Sequence, residues 1–313
     1  MLGRFLTITY YLLPTTYYLL LTTYYLLPIT YYLLLTTYYL LLTTYLRSLS
    51  FRTTYEMTYC LGIINKFGIV MAGDSRTNAG VDNISAYKKL FDLSLPGERV
   101  IVICASGSLS VTQGVLTRLN RDIQNQADKN LHTLPTMYDI AAYIGSKSRE
   151  IQELDRPWLE KDNISFRCNF LLGGQIIGEE PQLYLIYPQG NFIQATKETP
   201  FLQIGETKYG KPIIDRTITY ETPLEAAAKC ALLSIDSTMK SNISVGPPIN
   251  LVMYKTDSFE LRNSLQLRLG APYIAKIRNL WENSVRQAFE AMPDIEWENE
   301  NALGEPRENI YLD

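Results

Sequence analysis

Thr58 directly follows Met57, and a threonine in that place can become a nucleophile that carries its own base. An initiator methionine is removed when a small residue follows it. Thr58 would then hold a free α-amine beside its hydroxyl, the N-terminal threonine form of an activated nucleophile. The amine's reference pKa is near 8, against about 10.4 for lysine, so at pH 7 roughly a tenth of it is neutral but under about a thousandth of a lysine is. The terminal amine is the better proton acceptor, and it is already attached to the attacking group. A nearby lysine cation would lower the amine's pKa and favour loss of the hydroxyl proton, and a carboxylate would hold that lysine in place. The chain offers both partners: Asp74, and the pair Lys88-Lys89.

Strands must bring these residues together. A strand over 58–64 turns at Asn65-Lys66-Phe67-Gly68 into a second over 69–72, which Asp74 closes. A third short strand covers 87–93 and a fourth 99–105. Adjacent strand residues point to opposite faces, so only one of Lys88 and Lys89 can face Thr58. After Gly107 the period changes to that of a helix. Val115, Leu116, Leu119 and Ile123 mark a helix over about 109–127, and Ile140, Ala141, Ile144 and Ile151 one over about 136–154.

Strands return at 166–175, 182–187, 192–196 and near Leu202. Thr222-Pro223-Leu224-Glu225 reads as a helix start, with Thr as cap, Pro in the first helical position and Glu where a capping box puts it. That helix should reach about 239, followed by a strand over 249–254, a helix over about 272–289 and an acidic tail over 291–313. Hairpins grouped apart from paired helices argue an α+β fold with helices layered on antiparallel sheets. A doubly wound sheet wants strict strand–helix alternation, which the start of the domain lacks. There is no GxGxxG or GxxxxGK[ST] phosphate loop.

Residues 7–44 repeat one phrase, Thr-Thr-Tyr-Tyr-Leu-Leu-Leu. Tandem copies of the seven-base unit ACTACTT spell that phrase, and Pro14, Pro28, Ile8 and Ile29 each need one base change from it. Residues 1–57 are therefore read as a mis-assigned start, a low-complexity repeat with no stable fold, and Met57 as the true initiator. Paired threonines interrupt every apolar run, which argues against a membrane span. No small-residue cleavage site follows, which argues against a signal peptide. The uncharged heptads lack the e and g charges of a coiled coil, and as extended chain they would be an aggregation hazard.

Setting aside Arg4, Arg47, Arg52 and Glu56, the totals of 29 basic and 32 acidic residues fall to 26 and 31. That is a mildly acidic domain without the basic bias of a nucleic-acid binder. Cys60, Cys104, Cys168 and Cys230 are widely spaced in apolar or alternating segments, with no CxxC pair. They read as buried reduced thiols and suit a reducing cytoplasm. The single histidine, His132, disfavours a zinc site and reads as a loop residue. No cofactor or metal is expected.

The motif block is specific. Thr58-Tyr-Cys-Leu-Gly, then Gly68 through the run Ser75-Arg76-Thr77-Asn78-Ala79-Gly80-Val81-Asp82-Asn83-Ile84, then Lys88-Lys89-Leu90, resembles a proteasome β-type subunit. It is most similar to the bacterial branch called Anbu, the ancestral β subunit, over nearly all of 58–260. The resemblance implies a four-layer αββα sandwich of the N-terminal nucleophile hydrolase type, in a domain over 58–290. It implies a ring or spiral of identical subunits, acting on peptide or unfolded protein in the cytoplasm without nucleic acid or membrane.

It also implies roles. Thr58 would be nucleophile and base, Asp74 the family's carboxylate, and Lys89 its lysine, because that lysine directly precedes an apolar residue. Gly107 would supply the oxyanion N–H, and Ser244 would hydrogen-bond the terminal amine. Thr77, Lys88 and Ala105 fall where the family's pocket walls lie. The chain departs where the family usually has an aspartate, here Ser241, and a Gly-Ser-Gly turn, here Gly205-Glu206-Thr207. The expected activity is that of a threonine-type peptidase. The alternatives are an amidohydrolase acting on a small amide and an assembly subunit with a vestigial site.

Overall fold

The computed structural model describes residues 24, 26–45, 58–78, 84–162 and 164–295. The chain divides into two compact units, 1–55 and 56–313. In the first, helix α1 spans Leu26–Tyr45, where the sequence reading expected no stable fold. Its threonine hydroxyls bond back onto the helix's own carbonyls. Thr30 Oγ1 donates back to the carbonyls of Leu26 (3.0 Å) and Leu27 (2.9 Å), and Thr36, Thr37, Thr43 and Thr44 repeat the pattern. A helical threonine satisfies its own hydroxyl this way. By length and composition alone, α1 is long and apolar enough to cross a membrane. Met57 and the proposed tail beyond residue 295 lie outside the described residues, as do 79–83 of the motif run.

The second unit is a four-layer sandwich. One sheet has the order β10-β1-β2-β11-β12, with β1 Tyr59–Asn65, β2 Gly68–Gly73, β10 Phe201–Gly205, β11 Ile249–Lys255 and β12 Asn263–Leu267. The other has the order β5-β6-β7-β8-β9, with β5 Leu90–Asp92, β6 Arg99–Gly107, β7 Cys168–Ile176, β8 Gln182–Ile186 and β9 Phe192–Gln194. All pairings within them are antiparallel. Helices α2 (Leu109–Gln124) and α3 (Met137–Lys161) cover the second sheet, and α4 (Lys211–Thr217), α5 (Leu224–Ser241) and α6 (Pro272–Glu290) the first.

The period-two alternation of β1 builds two of the three cores at once. Tyr59, Leu61 and Ile63 face α4 and α5, while Cys60 and Ile64 face the other sheet with Met71, Val102, Cys104 and Leu171. Glycines let the sheets approach. A Cβ on Gly62 would overlap the Leu183 side chain, and one on Gly173 the Met71 sulfur. Every buried residue among the described residues lies in this unit, so it owns its hydrophobic cores.

Several elements differ from the sequence expectation. The third strand is only Leu90–Asp92, which leaves Lys88 and Lys89 just outside it. Helix α3 runs on through Pro157 to Lys161, and Arg156 pairs with Glu153 and Glu160 around that missing N–H. Thr222 does not cap α5. Its hydroxyl accepts the Thr219 N–H at 2.9 Å, and the helix begins at Leu224 behind Pro223. The hairpin of β3 (Arg76–Asn78) and β4 (Ile84–Ala86) has three residues a side, too few for a periodic signal. The short α4 and the exposed edge strand β12 were also unread.

Candidate active site

Thr58 sits at the mouth of β1 and is 7 % exposed. The next residue anchors the site. Tyr59 N–H donates to Asp74 Oδ1 at 3.0 Å, and Asp74 N–H returns a bond to the Tyr59 carbonyl at 3.2 Å. The hairpin register makes this unavoidable, because Cys60 pairs with Gly73 and so places Asp74 beside the strand's first residues. Lys89 arrives from the other sheet, where its carbonyl accepts the Ala105 N–H at 2.9 Å. Its ammonium donates to Asp74 Oδ1 at 2.9 Å and to the Arg76 carbonyl at 2.6 Å. Asp74 is 0 % and Lys89 6 % exposed, so this ion pair is buried and ties one sheet to the other.

Asp74 Oδ2 takes two further donors, the N–H groups of Arg76 and Gly246, each at 3.1 Å. Burial pushes the Asp74 carboxyl up from the usual range, while the Lys89 ammonium and the Tyr59 and Gly246 N–H groups pull it back. Lys88 is exposed and lies over the Phe91 ring at 5.9 Å. The structure thus brings Lys89, and not Lys88, to Asp74.

Gly107 ends β6 just before α2 and is exposed, with φ +99°. A side chain here would overlap the Arg167 carbonyl, so the backbone turn needs glycine. Ser244 is buried in the loop between α5 and β11. Its hydroxyl donates to Asn242 Oδ1 at 2.5 Å and its N–H to the same oxygen at 2.9 Å. Asn242 Nδ2 donates to Glu206 Oε2 at 3.1 Å, and the Glu206 N–H donates to the Thr58 carbonyl at 2.7 Å.

The sequence reading placed the departure from the family's aspartate at Ser241. That residue is exposed at the end of α5, and its neighbour Asn242 meets Ser244. Asn242, Gly246 and the Arg76 carbonyl were missed because their contributions come from a neutral amide and two backbone groups, which no residue type announces. Of the expected pocket residues, Ala105 is buried, Lys88 exposed and Thr77 half-buried on β3. His132 pins a loop, with Nε2 3.0 Å from the Leu93 carbonyl. All four cysteines are free and buried, and burial pushes the Cys168 thiol up to about 11. Among the described residues no group of three or more His, Cys, Asp or Glu could hold a metal.

The family model described as proteasome subunit matches residues 57–253, which spans every residue of this constellation. The chain belongs to the proteasome family. Solved structures place it in the Anbu branch. Anbu (ancestral beta-subunit) from Yersinia bercovieri is 44 % identical, with a TM-score of 0.72 over 76 % of this chain and 98 % of that one. Anbu from Hyphomicrobium sp. strain MC1 is 44 % identical, with a TM-score of 0.71 over 76 % and 99 %. The structure described as a helical assembly of the Anbu complex from Pseudomonas aeruginosa is 44 % identical, with a TM-score of 0.73 over 76 % and 98 %. No curated protein matches. In this proteasome-type subunit Asp74 and Lys89 meet beside the start of β1, where the mouth of the first hairpin meets the loop that leads into β5.

Proposed function

We propose that the chain is a threonine-type peptidase whose active form begins at Thr58 after removal of Met57. The observation that carries this reading is the buried Asp74–Lys89 pair, joined through the Tyr59 N–H to the residue beside Thr58. A buried lysine beside the nucleophile supplies a fixed positive charge where the alkoxide develops. The Thr58 hydroxyl attacks an amide carbonyl and its proton passes to the α-amine. The Gly107 N–H stabilises the tetrahedral oxyanion. The C–N bond then breaks, the leaving amine takes the proton from the ammonium, and a threonyl ester remains. Water, deprotonated by the same amine, hydrolyses the ester and restores Thr58.

Self-association into a ring or spiral of identical subunits belongs to this reading. The helical assembly of the Pseudomonas aeruginosa relative supports it, and so does the exposed stripe of Trp281, Val285 and Phe289 on α6. The substrate is a peptide or unfolded protein admitted to that assembly. The free buried thiols support a cytoplasmic location. A second reading, an amidohydrolase for a small amide, keeps the nucleophile. It is favoured by Ser241 and Glu206, which by the resemblance stand where the family usually carries aspartate and serine.

The test is covalent capture. An epoxyketone or β-lactone directed at N-terminal threonine should add one equivalent to the protein by intact mass, on Thr58, and Thr58→Ala should abolish it. No adduct under varied conditions would point to an assembly subunit with a vestigial site. Digestion of a peptide library separates peptidase from small-amide hydrolase.

A further inference from the structure

Glu206 follows β10 and has two ties to the site. Its N–H holds the Thr58 carbonyl at 2.7 Å, and its carboxylate accepts from Asn242 Nδ2 at 3.1 Å. Asn242 Oδ1, at the other end of that amide, accepts from the Ser244 hydroxyl and N–H. Ser244 leads through Val245 to Gly246, which donates to Asp74, and Asp74 accepts from Tyr59. The contacts close a ring that starts and ends at the mouth of β1.

Two groups set the polarity around this ring, the Glu206 carboxylate at one end of the Asn242 amide and the Ser244 N–H at the other. A carboxylate only accepts, so Glu206 draws the Asn242 NH₂ toward itself and leaves Oδ1 for Ser244. The Ser244 hydroxyl proton is then committed to Asn242, and the Ser244 oxygen offers lone pairs alone to other neighbours. A hydroxyl donating onto a neutral Thr58 amine would occupy the lone pair that must act as base. An oxygen restricted to accepting leaves that pair free. We propose that Glu206 is a positioning residue for Thr58, acting through its own N–H on the Thr58 carbonyl and through Asn242 on the orientation of the Ser244 hydroxyl. The proposal rests on the reading of Thr58 as an N-terminal nucleophile.

The test compares four proteins begun at Met57, since the unit from Thr58 onward holds its own cores: wild type, Asn242→Asp, Glu206→Gln and the double variant. Asn242→Asp sets two carboxylates face to face, and like charges that close raise one carboxyl's pKa until they share a proton. Relative to wild type at the same pH, adduct formation on Thr58 should fall by about tenfold or more at neutral pH, and that deficit should narrow as the pH is lowered. The double variant should return close to the wild-type rate and lose that acid recovery, because an amide at position 206 can donate to the new carboxylate at 242.

The α-amine of Thr58 is titrated by NMR in the same proteins, which needs no turnover. Its midpoint should move in Asn242→Asp and return in the double variant. It should fall in Glu206→Gln, which keeps the side chain's size and removes only its charge. A wild type that forms no adduct removes the nucleophile reading, while a midpoint that moves and returns still supports the role of Glu206. Identical titrations in all four, or a double variant no better than Asn242→Asp, overturn the proposal. If Asn242→Asp does not fold, an unchanged midpoint in Glu206→Gln overturns it alone.

Discussion

Replacing Lys89 with alanine would leave the Asp74 carboxylate buried without its cation, and breaking such a pair costs about 3–5 kcal/mol of stability. In the proposed mechanism it would also take away the positive charge that serves Thr58, and losing an electrostatic donor of this kind costs about 10²–10³ in rate. Lys89→Ala should therefore both lower the melting midpoint and slow adduct formation on Thr58. Lys89→Met with Asp74→Asn removes the stranded charge, and should recover much of the stability while the rate stays low. A double variant that regains the rate would refute the catalytic role of the lysine. Lys88→Ala is the contrast. The side chain is exposed, and such substitutions stay within about 0.5 kcal/mol, so the rate should stay near that of wild type. The sequence distinguished these neighbours only through family resemblance. Alternation alone said that one of the two would face Thr58, and burial then decided which.

At the scale of elements, β1 places Thr58 only if the strand beside it comes close. β10 pairs with β1, with Tyr59 opposite Gly205. Gly205 has φ +84°, and a Cβ there would overlap the Thr58 carbonyl and carbon. Gly205→Ala should strain this turn and push the Thr58 carbonyl from the Glu206 N–H. A shift to positive φ for a side-chain-bearing residue costs about 1–2 kcal/mol. The check is a lower denaturation midpoint together with slower adduct formation, whereas Gly178→Ala, also at positive φ with open space around it, should lose stability without losing rate. Equal rate losses in both would refute the specific link to Thr58. The long elements that carry this geometry were legible because periodicity has room to repeat in β1, β6, β7, α2 and α5. The short β3–β4 hairpin and α4 were not, since three residues of strand or about two turns of helix give no period to read. The capping signal at Thr222 misled for a different reason: its hydroxyl has a competing local donor at Thr219.

For the whole molecule, α6 is held on one side and open on the other. Ile274 and Ile277 pack into the helical layer, and Arg278 grips the buried Asp236 of α5. Trp281, Val285 and Phe289 follow at four-residue spacing and remain exposed, which is a single stripe on the helix. A groove of about 380 Å³ among α4, α5 and α6, walled by Ile213, Leu233, Leu280 and Trp281, adjoins it. Aromatic side chains bury about 150–250 Å² each, and a stable contact needs about 800 Å² per partner. The stripe can thus form the centre of an interface but not the whole of one. If the proposed self-association uses α6, Trp281→Glu with Phe289→Glu should shift the protein from assemblies toward small species in light scattering coupled to size exclusion. Charge placed on an exposed residue far along the chain, as in Phe67→Glu, should leave the distribution unchanged. The melting midpoint of the separated species should remain near that of wild type, because the Arg278–Asp236 grip and the three cores lie within one subunit. An assembly that persists with both glutamates present would mean that its contacts lie on another face and that the α6 stripe plays no part in them.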